Sequence, residues 1–270
     1  MSEMLNDLLL ELSAFPGRER DLRSVYRWHN WTPMYYRPHL FSHGKKIARM
    51  ILHVAPLLEK KLGSTFDIKR ALLLALVHDD PEILTGDYQA GDKDKMTKEQ
   101  LDAIDAEERE AIKELVQRYP KMVGGYDYED LQLDVQDARS DEGHVMKFFD
   151  LLDGYGEGIH ELYAGNLRFV TPITNKYGLI PLFDELNLRR RKGMMEKCPV
   201  LEALKDSHTF FRLDEPLVWK PIVQDRQPYT KESVREKVGY MQYDLWKEII
   251  LGSGDMEDIE SLYTQREFKI

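Results

Sequence analysis

A histidine and an aspartate stand side by side at the end of a strongly apolar segment. Residues 71–77 read Ala-Leu-Leu-Leu-Ala-Leu-Val, and His78 and Asp79 follow directly. A helix that is apolar on every side belongs inside a bundle, where an imidazole and a carboxylate without partners are costly to bury. A divalent metal ion would supply the partner, because neutral imidazole and ionised carboxylate are both good ligands. A purely structural pair, in which the aspartate caps a buried histidine, is the alternative.

Two further residues could complete such a metal site. His43 stands at the start of an amphipathic segment, and Asp150 lies on the flank of a later one, together with Asp153 and Glu157. Three helices would have to converge for these side chains to meet, and spacing alone does not establish convergence. Two histidines and two aspartates would leave coordination positions open for a water. The chemistry favoured by this set is metal-assisted hydrolysis.

Helical periodicity dominates roughly the first 165 residues, so the predicted fold class is all-α. The segment 43–62 carries an apolar stripe at spacings of three and four residues, and Gly63 is predicted to end it. Pro56 is expected to bend or break this helix. Asp67 is predicted to cap a short buried helix that leads to His78.

Two later segments are also predicted to be helical. Thr97 and Gln100 form a capping box for a charged surface helix that ends near residue 120. A further helix covers about residues 140–166, with its apolar residues and its carboxylates on different faces. Three glycines inside that helix indicate either a close backbone approach or a local irregularity. They are Gly154, Gly156 and Gly158.

The composition is that of an ordinary folded protein: 270 residues, of which 42% are apolar and 32% charged. After about residue 170 prolines become frequent and helical periodicity weakens. We therefore predict one domain over residues 1–170 and an α-rich C-terminal extension of unassigned role over residues 171–270. Covering the active site and building a homodimer are both open roles for this extension.

Charge and cysteine content narrow the classes of partner. A net charge of −10 and a pI near 5.4 disfavour polynucleotide binding, although one local basic pocket could still bind a small anion. Cys198 is the single cysteine and cannot form an intrachain disulfide, which favours a reducing, cytoplasmic location. The longest unbroken apolar run, residues 71–77, is far shorter than the ~20 residues that cross a membrane, so no membrane partner is expected.

Further motifs flank the candidate ligands. They are an Arg-Trp pair, a glutamate three residues after the His-Asp pair, a Thr-Gly-Asp triplet, and a helical aspartate followed by Gly-Asn. The matching residues are Arg27-Trp28, His78-Asp79, Glu82, Thr85-Gly86-Asp87, Asp150 to Tyr155, and Gly165-Asn166. This arrangement resembles the HD superfamily of metal-dependent phosphohydrolases, and more narrowly the bacterial 5′-deoxynucleotidases with their eukaryotic HD-domain relatives. The resemblance covers roughly residues 20 to 170.

The resemblance implies an HD-domain helical bundle that holds one divalent metal ion, with Mn, Co, Zn, Fe, Ni and Mg all open as its identity. The implied ligands are His43, His78, Asp79 and Asp150. The resemblance also selects Asp150 over Asp153. Proton transfer is assigned to Glu82 and Asp87, phosphate binding to Arg27, and stacking on the sugar or base to Trp28. Loop solvation is the alternative for the two acids, and a surface position is the alternative for the Arg-Trp pair.

One departure from the family pattern affects the first histidine. Relatives usually carry an acid directly before it, whereas this chain reads Arg-Pro-His-Leu-Phe-Ser-His over residues 37–43. His39 is therefore a rival for the ligand role. We favour His43 because it directly precedes the amphipathic helix.

The function predicted from the sequence is metal-dependent hydrolysis of (deoxy)nucleoside 5′-monophosphates by a metal-activated water. A triphosphohydrolase or a cyclic-nucleotide phosphodiesterase would use a similar metal shell and stays open. So does a non-catalytic binding or scaffold protein with an HD fold, because the acid before His43 is absent and the last hundred or so residues match no known pattern.

Overall fold

Helices make up most of the computed structural model, which confirms the all-α prediction. The structure describes residues 2–28, 38–88, 93, 96–163, 171–175, 178–180, 182–213 and 238–252. The chain divides into two compact units. The first consists of the described residues up to Trp28 and of those from Pro38 to Asp150, and the second contains the described residues after Asp150. The predicted domain boundary near residue 170 stays a prediction.

The first unit is a bundle of helices with one short hairpin. Its elements are α1 (Ser2–Ser13), α2 (Arg18–Ser24), α3 (Leu40–Leu62), a single 3-10 turn (Gly63–Thr65), α4 (Ile68–Val77), α5 (Glu82–Thr85), α6 (Lys98–Arg118), β1 (Met122–Val123), β2 (Tyr126–Asp127), α7 (Tyr128–Asp137) and the start of α8 (Asp141–Tyr163). Helices α3 and α4 pack together along the centre of this unit.

Helix α3 begins earlier than the sequence pattern suggested. It starts at Leu40 because the His39 side chain caps it, accepting a hydrogen bond from the Ser42 amide at 3.1 Å. The predicted apolar stripe is buried, and the helix runs through Pro56 without a break. Gly63 ends the helix at φ 72°, with its amide donating to the Glu59 carbonyl, as predicted.

Helix α4 is the buried helix expected before His78. The Asp67 carboxylate caps it by accepting a hydrogen bond from the Arg70 amide at 3.0 Å, which confirms the predicted N-cap. Its residues from Ala71 to Val77 are all buried. The predicted capping box of Thr97 and Gln100 is likewise present at the start of α6.

The β1–β2 hairpin was not expected from the sequence. It pairs Met122 with Asp127 and Val123 with Tyr126 in antiparallel register. Gly124 and Gly125 form the turn at φ 60° and 90°, a conformation that favours glycine. Strands of two residues are too short to show an alternating pattern, so periodicity alone could not reveal them.

The second unit continues α8 and adds a hairpin and several helices. They are β3 (Thr171–Asn175), β4 (Gly178–Ile180), α9 (Leu182–Lys197), α10 (Pro199–Leu204), a 3-10 turn (Thr209–Phe211) and α11 (Val238–Gly252). Any β-carbon at Gly156 would clash with the indole of Trp246 in α11, so a close approach explains this glycine of α8. In the part of the chain that the structure describes, no helix has the length and apolar character needed to cross a bilayer.

Candidate metal centre

The C-terminal end of α4 presents the His-Asp pair. His78 occupies the C-cap position, and both His78 and Asp79 are buried. The Nδ1 atom of His78 lies 2.9 Å from the Ala75 carbonyl oxygen, which can only accept. Nδ1 therefore carries the proton in the neutral ring, and Nε2 then has a free lone pair, the arrangement that a metal-binding imidazole needs.

Three helices do converge at this point. Nε2 of His43, in the first turn of α3, lies 3.1 Å from Oδ1 of Asp150 on α8 and 3.9 Å from Oδ2 of Asp79. The rings of His43 and His78 are 5.1 Å apart between centroids. One ligand atom from each of His43, His78 and Asp150 falls within 4.8 Å of the other two. The structure thus brings together the four residues predicted as ligands, while their role as ligands stays a prediction.

Unpartnered polar atoms show that the donor set fits a cation. At this site three buried atoms have no hydrogen-bond partner in the described structure: Nε2 of His78, Oδ2 of Asp79 and Oε2 of Glu82. His78 Nε2 is 2.9 Å from Asp79 Oδ1, and in the neutral imidazole with its proton on Nδ1 this contact sets a lone pair against a carboxylate oxygen. Each such buried atom costs about 1–3 kcal/mol. A divalent ion accepts electron pairs from nitrogen and oxygen alike, so these residues suit a metal.

Positive neighbours keep the two ligand carboxylates ionised. Burial by itself would raise the pKa of Asp79, but in the metal-free protein the charged form of His78, then His43 and Arg27, hold that pKa below its ordinary value. A divalent ion would supply the positive charge instead when the imidazoles are neutral. Burial likewise opposes ionisation of Asp150, yet Lys147, followed by His43, holds the pKa of Asp150 well below the usual range. Ionised aspartates are the form that binds a metal.

A second layer of side chains fixes the end of α4. Arg18 on α2 donates from Nη2 to the Leu76 carbonyl and forms an ion pair with Asp80, with Nη2 2.7 Å from Oδ1. Tyr128 donates to Oδ2 of Asp80 at 2.8 Å. Gln132 donates to the Val77 carbonyl at 2.9 Å. These bonds satisfy carbonyls that a helix end leaves without partners, directly before His78.

Sequence reasoning did not identify this second layer. Asp80 is fully buried directly after the His-Asp pair, so a third polar residue at a buried helix end was the available signal. Its partners could not be deduced, because Arg18 and Asp80 stand 62 residues apart in the chain.

A glycine allows α3 to approach this end of α4. A β-carbon at Gly44 would lie 2.8 Å from the Ala75 carbonyl oxygen, closer than atoms of this kind approach each other. Gly44 follows His43 directly, and Ala75 is the residue whose carbonyl accepts from His78. The contact therefore helps to set the distance between the two imidazoles.

The two acids predicted as proton carriers also lie at this site. Burial, and then the charges of Asp79 and Asp87, raise the pKa of Glu82 well above its ordinary value. Arg27 and Lys93 oppose that rise. Glu82 and Arg27 therefore interact electrostatically with Asp79, and Asp87 interacts with Glu82.

The remaining predicted residues are placed as follows. His39, the rival ligand, uses Nδ1 to cap α3, and its Nε2 lies 3.3 Å from Nη1 of Arg23. Trp28 is half-buried and holds an unusual φ of 59°. Asp153 accepts a hydrogen bond at 2.6 Å from the Trp246 indole within the second unit. The motif residues 165–166 lie outside the described residues.

Comparison of the sequence with known protein families identifies the family of this chain. A family described as "5′-deoxynucleotidase YfbR-like" matches residues 15–180, more than half of the chain. The chain belongs to this family. The YfbR-like family is a family of 5′-deoxynucleotidases, which are hydrolases, and the resemblance found in the sequence motifs is confirmed.

Individual relatives of this YfbR-like chain are distant. A 5′-deoxynucleotidase YfbR from Salmonella paratyphi B and one from Salmonella newport are each 27% identical over 158 residues, which is 57% of this chain and 72% of the relative. A solved structure of a conserved hypothetical protein from Pyrococcus furiosus is 22% identical. The aligned region covers 59% of this chain and 83% of the Pyrococcus furiosus chain, with a TM-score of 0.43.

Proposed function

We propose that this YfbR-like protein is a metal-dependent 5′-nucleotidase that hydrolyses (deoxy)nucleoside monophosphates. One observation carries the proposal: His43, His78, Asp79 and Asp150 meet at a buried helix end where Nε2 of His78 and Oδ2 of Asp79 lack hydrogen-bond partners in the described structure. The family supports hydrolase chemistry, and the Salmonella relatives are named as 5′-deoxynucleotidases.

These four residues would hold one divalent ion. When bound, such an ion lowers the pKa of a coordinated water and neutralises negative charge on phosphate oxygens. The chain's own residues must then bind the nucleotide, orient it and handle the protons.

Glu82 is suited to hold a proton beside the reacting groups. Its carboxyl is buried next to Asp79, and its pKa is raised, so it keeps its proton to a higher pH than an ordinary glutamate. A protonated acid in this position can donate to the alcohol that leaves when the ester bond breaks. Asp87, which raises the pKa of Glu82, can exchange that proton with solvent.

Arg27 and Trp28 would bind the substrate. The charge of Arg27 acts on both Asp79 and Glu82, which supports a role for its guanidinium in binding the phosphate. The half-buried ring of Trp28 follows directly in the chain and offers a surface for stacking on the sugar or base.

A substrate panel with Mn²⁺ or Co²⁺ tests the proposal. Release of phosphate is measured from dAMP, dGMP, dTMP, dCMP and dATP, and cleavage is measured for a cyclic dinucleotide. We expect turnover of the monophosphates by the wild-type chain and by His53→Ala, which alters an exposed histidine on the same helix as His43. We expect none with His78→Ala. Turnover of only dATP or the dinucleotide would support the related hydrolases instead, and turnover of nothing would favour a binding protein.

A further inference from the structure

We propose that Lys147 is a substrate-binding residue that takes the phosphate group at the open side of the metal centre. The inference rests on the proposed function and extends its binding site to α8. Lys147 lies three residues before Asp150, and its Nζ is 3.2 Å from Oδ2 of Asp150. The other oxygen of that carboxylate, Oδ1, faces His43.

The exposure of the side chains shows from which side a ligand can enter. The exposed fraction is 0% for His43, 3% for His78, 11% for Asp79 and 18% for Asp150. Lys147, next to Asp150, is 46% exposed. The imidazoles are the least exposed ligand side chains and Asp150 the most exposed, so the Lys147 ammonium lies on the more exposed side of the centre.

The charge balance of the centre explains why a lysine ammonium would be needed beside it. Two ionised aspartates cancel the charge of one divalent ion, so the coordinated centre by itself has no net attraction for a phosphate dianion. Glu82 and Asp87 lie nearby and add no positive charge. Lys147 adds positive charge to that of Arg27 and Lys93, and these three residues come from separate parts of the first unit.

The lysine side chain is suited to exchange its carboxylate partner, Asp150, for a phosphate oxygen. An ammonium on a flexible four-carbon stem offers three donors and does not depend on one fixed geometry. Without a ligand, Lys147 neutralises the exposed oxygen of Asp150. Once that carboxylate is engaged by a metal, the same ammonium can turn to a phosphate oxygen within reach.

Binding of inorganic phosphate to the Mn²⁺-loaded full chain tests this inference without relying on turnover. Calorimetry is carried out on the wild type, Lys147→Gln, Lys147→Arg and Lys113→Gln. Lys113 is the matched control, because it pairs with Glu110 at the same three-residue spacing but on an exposed face of α6. We expect Lys147→Gln to weaken phosphate binding about tenfold, the effect of losing one charged hydrogen bond. Lys147→Arg should keep most of the affinity, and Lys113→Gln all of it.

Metal affinity separates substrate binding from mere support of Asp150. In Lys147→Gln we expect the Mn²⁺ dissociation constant to stay within about threefold of wild type, since the four ligands remain. For the monophosphates KM should rise more than kcat falls, while inhibition by the free deoxynucleoside stays unchanged. Unchanged phosphate binding in Lys147→Gln would overturn the inference, and so would an equal loss of Mn²⁺ and phosphate affinity. Lys147-dependent phosphate binding in a wild type that hydrolyses no monophosphate would refute the proposed nucleotidase and leave this site standing.

Discussion

Both units of this protein bury histidine and aspartate side chains, but the hydrogen bonding of these side chains differs between the units. In the second unit, Nδ1 of His160 lies 2.9 Å from the Tyr243 hydroxyl, and Asp153 accepts from the Trp246 indole at 2.6 Å. In the first unit, Nε2 of His78 and Oδ2 of Asp79 have no such partner within the described structure. A buried histidine or aspartate is therefore not by itself a sign of function. Isolated unpartnered atoms occur elsewhere among the described residues, such as Oδ1 of Asn187 in the second unit, but in the candidate centre three such atoms of metal-ligand type belong to neighbouring residues.

The largest difference between the units should appear with Asp79→Asn. We expect this change to lower hydrolysis of deoxynucleoside monophosphates by at least ~1,000-fold, about 4 kcal/mol in the barrier. The free energy of unfolding of the metal-free protein should fall by no more than ~1–2 kcal/mol, because Oδ2 of Asp79 has no hydrogen-bond partner to lose and only the attraction of the carboxylate to its positive neighbours is given up. Kinetic assays and urea denaturation check the two parts. A large loss of stability would show that Asp79 is a structural residue.

Asp80, the next residue, should behave in the opposite way. Asp80→Ala removes the partner of Arg18, which would remain buried with an uncompensated charge. We expect a loss of ~3–5 kcal/mol in the free energy of unfolding, measured by urea denaturation. The double variant Arg18→Ala/Asp80→Ala should lose less than the two single losses combined. Strict additivity would mean that the ion pair does not stabilise the end of α4.

Gly44→Ala tests whether helix approach sets the geometry of the centre. The added methyl would meet the Ala75 carbonyl, so α3 and α4 must separate slightly, at a cost of ~1–3 kcal/mol in stability. We also expect weaker Mn²⁺ binding, because His43 moves with α3. The control is Gly63→Ala, where a β-carbon meets nothing within 4 Å but the backbone φ is 72°. That variant should lose stability while its metal affinity stays at the wild-type level.

A substitution in the second unit should change the stability of the protein and leave its metal binding unchanged. Trp246→Phe removes the indole donor to Asp153 and leaves a buried carboxylate oxygen with one bond fewer. We expect a loss of ~1–3 kcal/mol in thermal or urea unfolding. The number of metal ions bound per chain should be the same as in the wild type. Loss of the bound metal in this variant would contradict the assignment of a purely structural role to the Asp153–Trp246 pair.

The sequence was informative where a local rule decides the structure. Asp67 and the Thr97–Gln100 pair were recognised as caps because a capping side chain bonds to a backbone amide only a few residues away. The His78-Asp79 pair could be identified from the apolar segment before it. The start of α3 was misplaced, because histidine is not among the residues usually found at an N-cap.

Other features of the site depend on packing that no local rule describes. The meeting of His43 with Asp150 joins residues 107 apart in the chain, and spacing left it undecided. Arg18 gave no signal in the sequence, since its role exists only through Asp80 and the Leu76 carbonyl. Family motifs identified the residues of the centre, but only the structure showed which of their atoms lack partners.

The most direct test of the central claim is the number of divalent ions bound per chain. Purified wild-type protein and the His78→Ala variant are equilibrated with Mn²⁺, dialysed, and analysed by mass spectrometry of the metal. We expect about one ion per wild-type chain and none retained by the variant. A wild type that holds no ion, or a variant that holds as much as the wild type, would contradict the claim.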